Sequence, residues 1–220
     1  GNAPVTLLEL AGGYSTLARG GLHRPPTLGF EPHAMTRLFS EKSAWLITDI
    51  LSDPVARAPA FGRRGPLELP FSCATKTGTS SDFRDNWCAG FTSDFTVAVW
   101  AGNFDQSPMK GVSGVDGAGP IFHRTMKWLH RETAPQPVSQ PVGLVRVRLD
   151  PRSGKLAGGS HAVDEWIPSG LDLLPSQAED YDESGRLLLD DEYAEWLASE
   201  QNQRQSEFAT LPARPADTPL

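Results

Sequence analysis

Apolar residues recur every three or four positions near the start of the chain, at Leu7, Leu10, Ala11, Tyr14, Leu17 and Ala18. That spacing lays one stripe along a helix. Thr6-Leu7-Leu8-Glu9 reads as a capping box, in which Thr and Glu satisfy the first free amides of the helix reciprocally, and Gly20-Gly21 ends it. A second helix is predicted from Ser40 to just before Asp53-Pro54, with Leu46, Ile47, Ile50 and Leu51 as its apolar face. Residues 54–70 hold four Pro and two Gly, which predicts a loop.

The period then shortens. Residues 71–80, 87–92 and 95–103 predict three strands joined by short turns, with Val97, Val99 and Trp100 supplying β-propensity in the last. Short turns make neighbouring strands antiparallel. A Gly-rich loop at 111–119 leads into a predicted helix at 120–130, where Pro120 suits the first turn. This order predicts an α+β fold, an antiparallel sheet flanked by helices.

The rest of the chain reads differently. Residues 144–149 alternate as a half-exposed strand does, and Asp150-Pro151-Arg152-Ser153-Gly154 predicts a turn. Residues 190–205 predict an acidic helix, and residues 208–220, with three Pro and few apolar side chains, predict an unstructured tail. Three prolines in 135–141 predict a stiff linker. The expected organisation is therefore a first domain at 1–134, the linker at 135–141, a small β-rich module with an acidic helix at 142–207, and the tail.

Charge reinforces that division. Residues 1–137 carry 13 basic and 12 acidic side chains, whereas residues 138–220 carry 7 and 15, within a net charge of −7. An acidic balance of this kind argues against a nucleic-acid partner. No apolar run reaches the ~18 residues of a membrane span. Two Cys exclude a disulfide scaffold and the common Cys-based zinc clusters. The chain begins at Gly1 rather than Met, so it is expected to be a piece of a longer protein.

The sharpest chemistry is Lys76-Thr77-Gly78-Thr79-Ser80, on a predicted strand. On an edge strand, Gly78 would let a ligand backbone approach closely. Thr77 and Thr79 would share a face and offer two hydroxyls to a carboxylate, and Lys76 would add a positive charge. Such an edge suits an extended peptide with a free C-terminus.

The Lys76-Thr77-Gly78 strand resembles the third motif of the penicillin-binding proteins and serine β-lactamases. VTLLELAGGYSTLARGG (5–21), AWLITDILSD (44–53) and KTGTSSDFRDNWCAGFTSDFTVAVWAGN (76–103) resemble successive blocks of the class A bifunctional penicillin-binding proteins. VRLDPRSGKLA (147–157) and EWIPSG (165–170) resemble the C-terminal module that these proteins append, and the whole, over about residues 3–207, looks closest to the penicillin-binding protein C branch. The resemblance implies part of a β-lactamase/transpeptidase-like fold and a D,D-transpeptidase that cross-links peptidoglycan stem peptides ending in D-Ala-D-Ala through an acyl-serine. β-Lactams would trap that serine. Lys76 would carry a proton-transfer network and attract the donor carboxylate. Thr77, Gly78, Thr79 and Ser80 would bind the substrate, with the Thr79 amide as one oxyanion donor. The intact protein would also polymerise glycan, on the outer face of the cytoplasmic membrane, held by an upstream anchor. Neither cofactor nor metal is expected.

The sequence departs from the pattern in one respect. The family's nucleophilic Ser-x-x-Lys and its Ser-x-Asn precede Lys-Thr-Gly, and neither lies between Gly1 and Lys76. Ser107-Pro108-Met109-Lys110 matches the first pattern, but it follows the strand and contains Pro where a helix is required. The chain is expected to be inactive without its missing N-terminal part, because covalent catalysis needs the activated Ser. Alternatives are a serine β-lactamase relative, against which the appended module counts, and a non-catalytic binding module for peptidoglycan or a partner.

Other residues have structural readings. Arg84, Asp85 and Trp87 are expected to fix the hairpin turn and pack the sheet. With a turn centred near 82–83, Cys73 faces position 92 and Cys88 faces position 77, about 13 Å apart and too far for a disulfide. His123 and His130 lack a third metal ligand. Residues 180–191 fit a calcium loop in spacing, but end in Asp191 rather than Glu. A Gly turn leading into a helix capped by Asp190 is the preferred reading.

Overall fold

The computed structural model describes residues 4–29, 34–62, 65–159 and 161–212. It divides into two compact units, 1–143 and 144–220.

The first unit opens with α1 (Leu7–Ala18). The Thr6 side chain accepts from the Glu9 amide at 3.2 Å, and the Thr6 amide donates to Glu9 Oε2 at 2.8 Å, so the capping box is complete. We predict that Thr6→Ala costs about 1 kcal/mol, the usual worth of such a cap. A urea midpoint unchanged by the substitution would contradict this. β1 (Leu22–His23) and β2 (Thr36–Arg37) pair antiparallel, and Ser40 caps α2 (Glu41–Ser52) through the Ser43 amide.

The expected loop at 54–70 is corrected at its start, where α3 (Pro54–Phe61) forms. The Asp53 carboxylate accepts from the amides of Val55 (2.7 Å) and Ala56 (3.2 Å), and Pro54 occupies the first helical position, where no amide is needed.

β3 (Ala74–Thr79), β4 (Asp85–Phe91) and β5 (Thr96–Gly102) make an antiparallel sheet in that order, so β3 is an edge. The pairing Thr77↔Cys88 is the register that a turn at 82–83 dictates. α4 (Ala118–Leu129) covers one face, burying Phe122 and Met126 against Leu67, Cys73 and Cys88. On the other face Tyr14 of α1 meets Phe91 edge-on, with ring centroids 6.4 Å apart. The two cysteines are unpaired and buried, and desolvation pushes the Cys88 thiol up to about 12. The fold is the α+β arrangement that the sequence predicts.

Residues 135–141 are not free of the first unit. Trp45 of α2 donates to the Val138 carbonyl at 3.2 Å, and the division between units falls after Gly143.

The second unit is built on an antiparallel pair, β6 (Leu144–Leu149) and β7 (Val163–Pro168). Asp150 accepts from the Tyr181 hydroxyl, the first cause of its lowered pKa. Two expectations fail here. The helix predicted over 190–205 is broken into α5 (Ala194–Ala198) between 3₁₀ turns, because the Ser199 hydroxyl and the Asn202 side-chain Nδ2 both donate to the Trp196 carbonyl and end it. Residues 209–210, expected in the tail, form β9 (Ala209–Thr210), which pairs parallel with β8 (Leu187–Leu188). The rest of that tail, 213–220, lies outside the described residues.

The calcium-loop spacing resolves into protein hydrogen bonds. Asp180 accepts from Lys155 and the Gln177 amide, and Asp182 from the Ser184 and Arg186 amides and the Arg186 side chain. Asp190 precedes the following turn but makes no side-chain cap.

Candidate active site

β3 has one free edge, and the ladder decides which groups it presents. Ser80 donates from its amide to the Asp85 carbonyl at 3.0 Å, so residues 76, 78 and 80 bond inward to β4. By alternation, the amides and carbonyls of Thr75, Thr77 and Thr79 point outward. An extended ligand laid along this edge meets the Thr77 carbonyl and the Thr79 amide as ready partners.

Side chains alternate as well. Gly90 lies under Phe122 of α4, so its cross-strand partner Thr75, and with it Thr77 and Thr79, face α4. Ala74, Lys76 and Gly78 face α1 with Phe91, Ala89 and Trp87. The two threonines therefore share a face, as the sequence suggested, but Lys76 approaches from the opposite side of the strand. Ammonium and hydroxyls bracket the edge instead of lying in one plane.

A cleft of about 960 Å³ runs along this edge. It is lined by Tyr14 and Leu10 of α1, by every residue from Lys76 to Asp82, and by Arg84, Trp87 and Gln106. Gly78 has no side chain to fill it, so the strand lies open to a ligand backbone. The Lys76 ammonium donates to the outward Thr77 carbonyl at 2.7 Å and is otherwise exposed. Burial pushes the Tyr14 phenol up, keeping it a neutral wall. A smaller cavity of about 230 Å³ beside Arg57, Leu67 and Val115 holds none of these groups.

Ser80 lines the cleft, and its hydroxyl is engaged by the turn. Its hydroxyl donates to Asp85 Oδ2 at 2.9 Å and accepts from the Asp85 amide at 2.8 Å. Asp85 also accepts from Trp100 Nε1 at 2.9 Å, and Arg84 pairs with Asp82 at 3.3 Å. Asp82 and Phe83 both take positive φ, 59° and 56°, and this polar knot holds the tight turn. Arg84, Asp85 and Ser80 thus hold the hairpin turn and Trp87 packs against Trp100, while all four also line the cleft.

Ser107 does not begin a helix. It lies in an irregular loop, and its hydroxyl donates to Asp105 Oδ1 at 2.7 Å, which lowers the Asp105 pKa. His123 bonds to the Pro66 carbonyl, and His130 to Thr92 and the Thr133 carbonyl. Among the described residues no three metal-ligating side chains cluster.

Sequence reasoning missed one part of the site. The Gly114 amide, 35 residues along the chain, donates to Thr79 Oγ1 at 2.9 Å. Asn86, opposite Thr79 on β4, is fully buried and donates to the Val112 carbonyl at 2.9 Å. The available signal was a polar residue at an inward strand position, beside Cys88 and Gly90.

Comparison with known proteins gives a consistent result. Residues 1–127 match the family described as the penicillin binding protein transpeptidase domain. The chain is 34% identical over 130 residues to penicillin-binding protein 1A of Pseudomonas aeruginosa, covering 58% of this chain and 16% of that protein. It is 30% identical over 153 residues to penicillin-binding protein 1C of Escherichia coli, covering 66% and 19%. The crystal structure of penicillin-binding protein 1A from Haemophilus influenzae matches with a TM-score of 0.65 at 18% identity, over 79% of this chain and 33% of that one. At that identity the likeness concerns the fold. The chain thus spans about a sixth to a fifth of the curated relatives that it matches.

Proposed function

Since the chain belongs to the penicillin-binding protein transpeptidase family, we propose that it supplies the donor-binding wall of a peptidoglycan D,D-transpeptidase. The observation that carries this reading is the open edge of β3, with the Thr79 amide pointing outward between a lysine on one side and two threonine hydroxyls on the other. A stem peptide ending in D-Ala-D-Ala lies along that edge. Its terminal carboxylate meets Lys76 and the hydroxyls of Thr77 and Thr79, because charge-assisted hydrogen bonds are the strong ones. Its scissile carbonyl then accepts from the Thr79 amide, which stabilises the developing oxyanion. One such donor is worth about 2.7–4 kcal/mol in other enzymes.

The nucleophilic serine comes from another part of the parent protein. It attacks the penultimate D-Ala carbonyl, D-Ala leaves, and an amine of a second stem peptide takes the acyl group. β-Lactams occupy the same wall. The parent acts on the outer face of the cytoplasmic membrane, where its substrate is. Among the described residues of this chain, no helix is long and apolar enough to cross a membrane.

Two measurements test the reading. A fluorescent penicillin is expected to leave no covalent adduct on the 220-residue chain, and an adduct would refute the assignment of the nucleophile to another part. A tripeptide ending in D-Ala-D-Ala, acetylated at its amines, is expected to bind reversibly and to perturb the amide resonances of β3. Lys76→Met should weaken that binding at least tenfold, in line with the loss of a charge-assisted hydrogen bond. Equal affinity in the variant would remove Lys76 from the site.

A further inference from the structure

We propose that Asn86 is a positioning residue that sets the direction of the Thr79 hydroxyl. The inference rests on the reading of the β3 edge as a carboxylate site.

The geometry runs through one loop. Asn86 Nδ2 donates to the Val112 carbonyl at 2.9 Å, and two residues later the Gly114 amide donates to Thr79 Oγ1 at 2.9 Å. Gly114 lies so close over the β3–β4 seam that a Cβ there would be 2.4 Å from the Gly78 carbonyl oxygen and 2.9 Å from that of Trp87. Its own carbonyl accepts from the Gly119 amide at the start of α4. The loop is thereby held at both ends, by Asn86 before Gly114 and by α4 after it. Gly117 keeps the backbone close to Asn86, since a Cβ there would lie 2.9 Å from Asn86 Oδ1.

The consequence is chemical. A threonine hydroxyl has one proton and two lone pairs. With one lone pair taken by the Gly114 amide, the proton turns away from that amide. Thr79 is then set to donate to a ligand. The charged carboxylate accepts that bond more strongly than a neutral carboxamide oxygen, so the preset hydroxyl favours a free C-terminus over a blocked one.

Asn86 is a poor choice for core filling alone. It is fully buried, and its Oδ1 has no hydrogen-bond partner. Burying an unpaired acceptor destabilises a fold, so such a group calls for another explanation. Holding Val112 so that Gly114 reaches Thr79 supplies one.

The test compares the acetylated tripeptide ending in D-Ala-D-Ala with its C-terminal carboxamide, and follows hydrogen exchange of the Gly114 amide. Asn86→Ala removes the donor. Asn86→Asp keeps the volume and places a carboxylate against the Val112 carbonyl, which covers the case in which the alanine variant does not fold. In either variant the preference for the free carboxylate should fall about tenfold, and Gly114 exchange should quicken. On a Thr79→Val background Asn86→Ala should have no further effect on that preference, an outcome that general loosening of the sheet would not produce. An unchanged preference in the Asn86 variants, with Thr79→Val losing it, would overturn the proposal and leave the site intact. If the wild-type chain shows no preference for the carboxylate, the reading of the edge itself fails, and Asn86 loses its role with it. Gly114 exchange unchanged by Asn86→Asp would overturn the linkage whatever the peptides do.

Discussion

Phe122→Ala is expected to destabilise the first unit by about 3–5 kcal/mol, the range for truncating a buried aromatic side chain. Phe122 is wholly buried, and with Met126 it is the part of α4 that fills the space over the sheet. Removing it loses the transfer energy of the ring and leaves a cavity bounded by Leu67, Cys73 and Cys88, which the β-ladder prevents from closing. Domains of this size are stable by about 5–15 kcal/mol, so the loss is a large share of the total. With a urea dependence of roughly 2 kcal/mol per molar, the midpoint should fall by about 2 M. A fall under about 0.5 M would show that α4 does not close the core.

The second large effect is expected at Gly90, on the same face. A Cβ there would lie 2.4 Å from the Ala74 carbonyl oxygen, 2.7 Å from Phe122 Cζ and 3.1 Å from Thr75 Oγ1. The nearest of these is a backbone oxygen held in the β-ladder and cannot move away cheaply, and the Thr75 hydroxyl is tied to the Cys73 carbonyl. Gly90→Ala should therefore cost about 3 kcal/mol, the upper part of the range for overpacking. It should also weaken binding of the D-Ala-D-Ala peptide, since relief of the clash pries β3 from β4 next to Lys76. Combining it with Phe122→Leu should recover part of the loss, because contacting residues do not act additively. Strict additivity of the two would mean that the ring and the new methyl do not meet.

Local features were legible in the sequence because the forces that make them are local. Thr6 and Ser40 mark the starts of α1 and α2 through hydrogen bonds that span three residues. The hairpin turn fixed the pairing of Thr77 with Cys88, and hence the faces of Lys76, Thr77 and Thr79, since side chains alternate strictly from a known origin. α3 was missed although its signal was present. Asp53 before Pro54 is a helix start, but the prolines and glycines that follow favour a loop in composition. The helix predicted over 190–205 failed for the converse reason. Its composition favours a helix, but Ser199 and Asn202 compete for the carbonyl that would extend it.

The sequence by itself determined α1, α2, the three-stranded meander and α4 in their order, the register of the β3–β4 hairpin and the strand on which Lys76, Thr77, Gly78 and Thr79 are displayed. Only the tertiary structure decided how those groups are presented. It made β3 an edge, tied the Ser80 hydroxyl to Asp85, and brought the Gly114 amide onto the Thr79 hydroxyl. The reason is the range of the interactions. A cap or a turn is closed within a few residues, whereas the Thr79–Gly114 contact spans 35 and depends on the loop before α4 being held over the sheet.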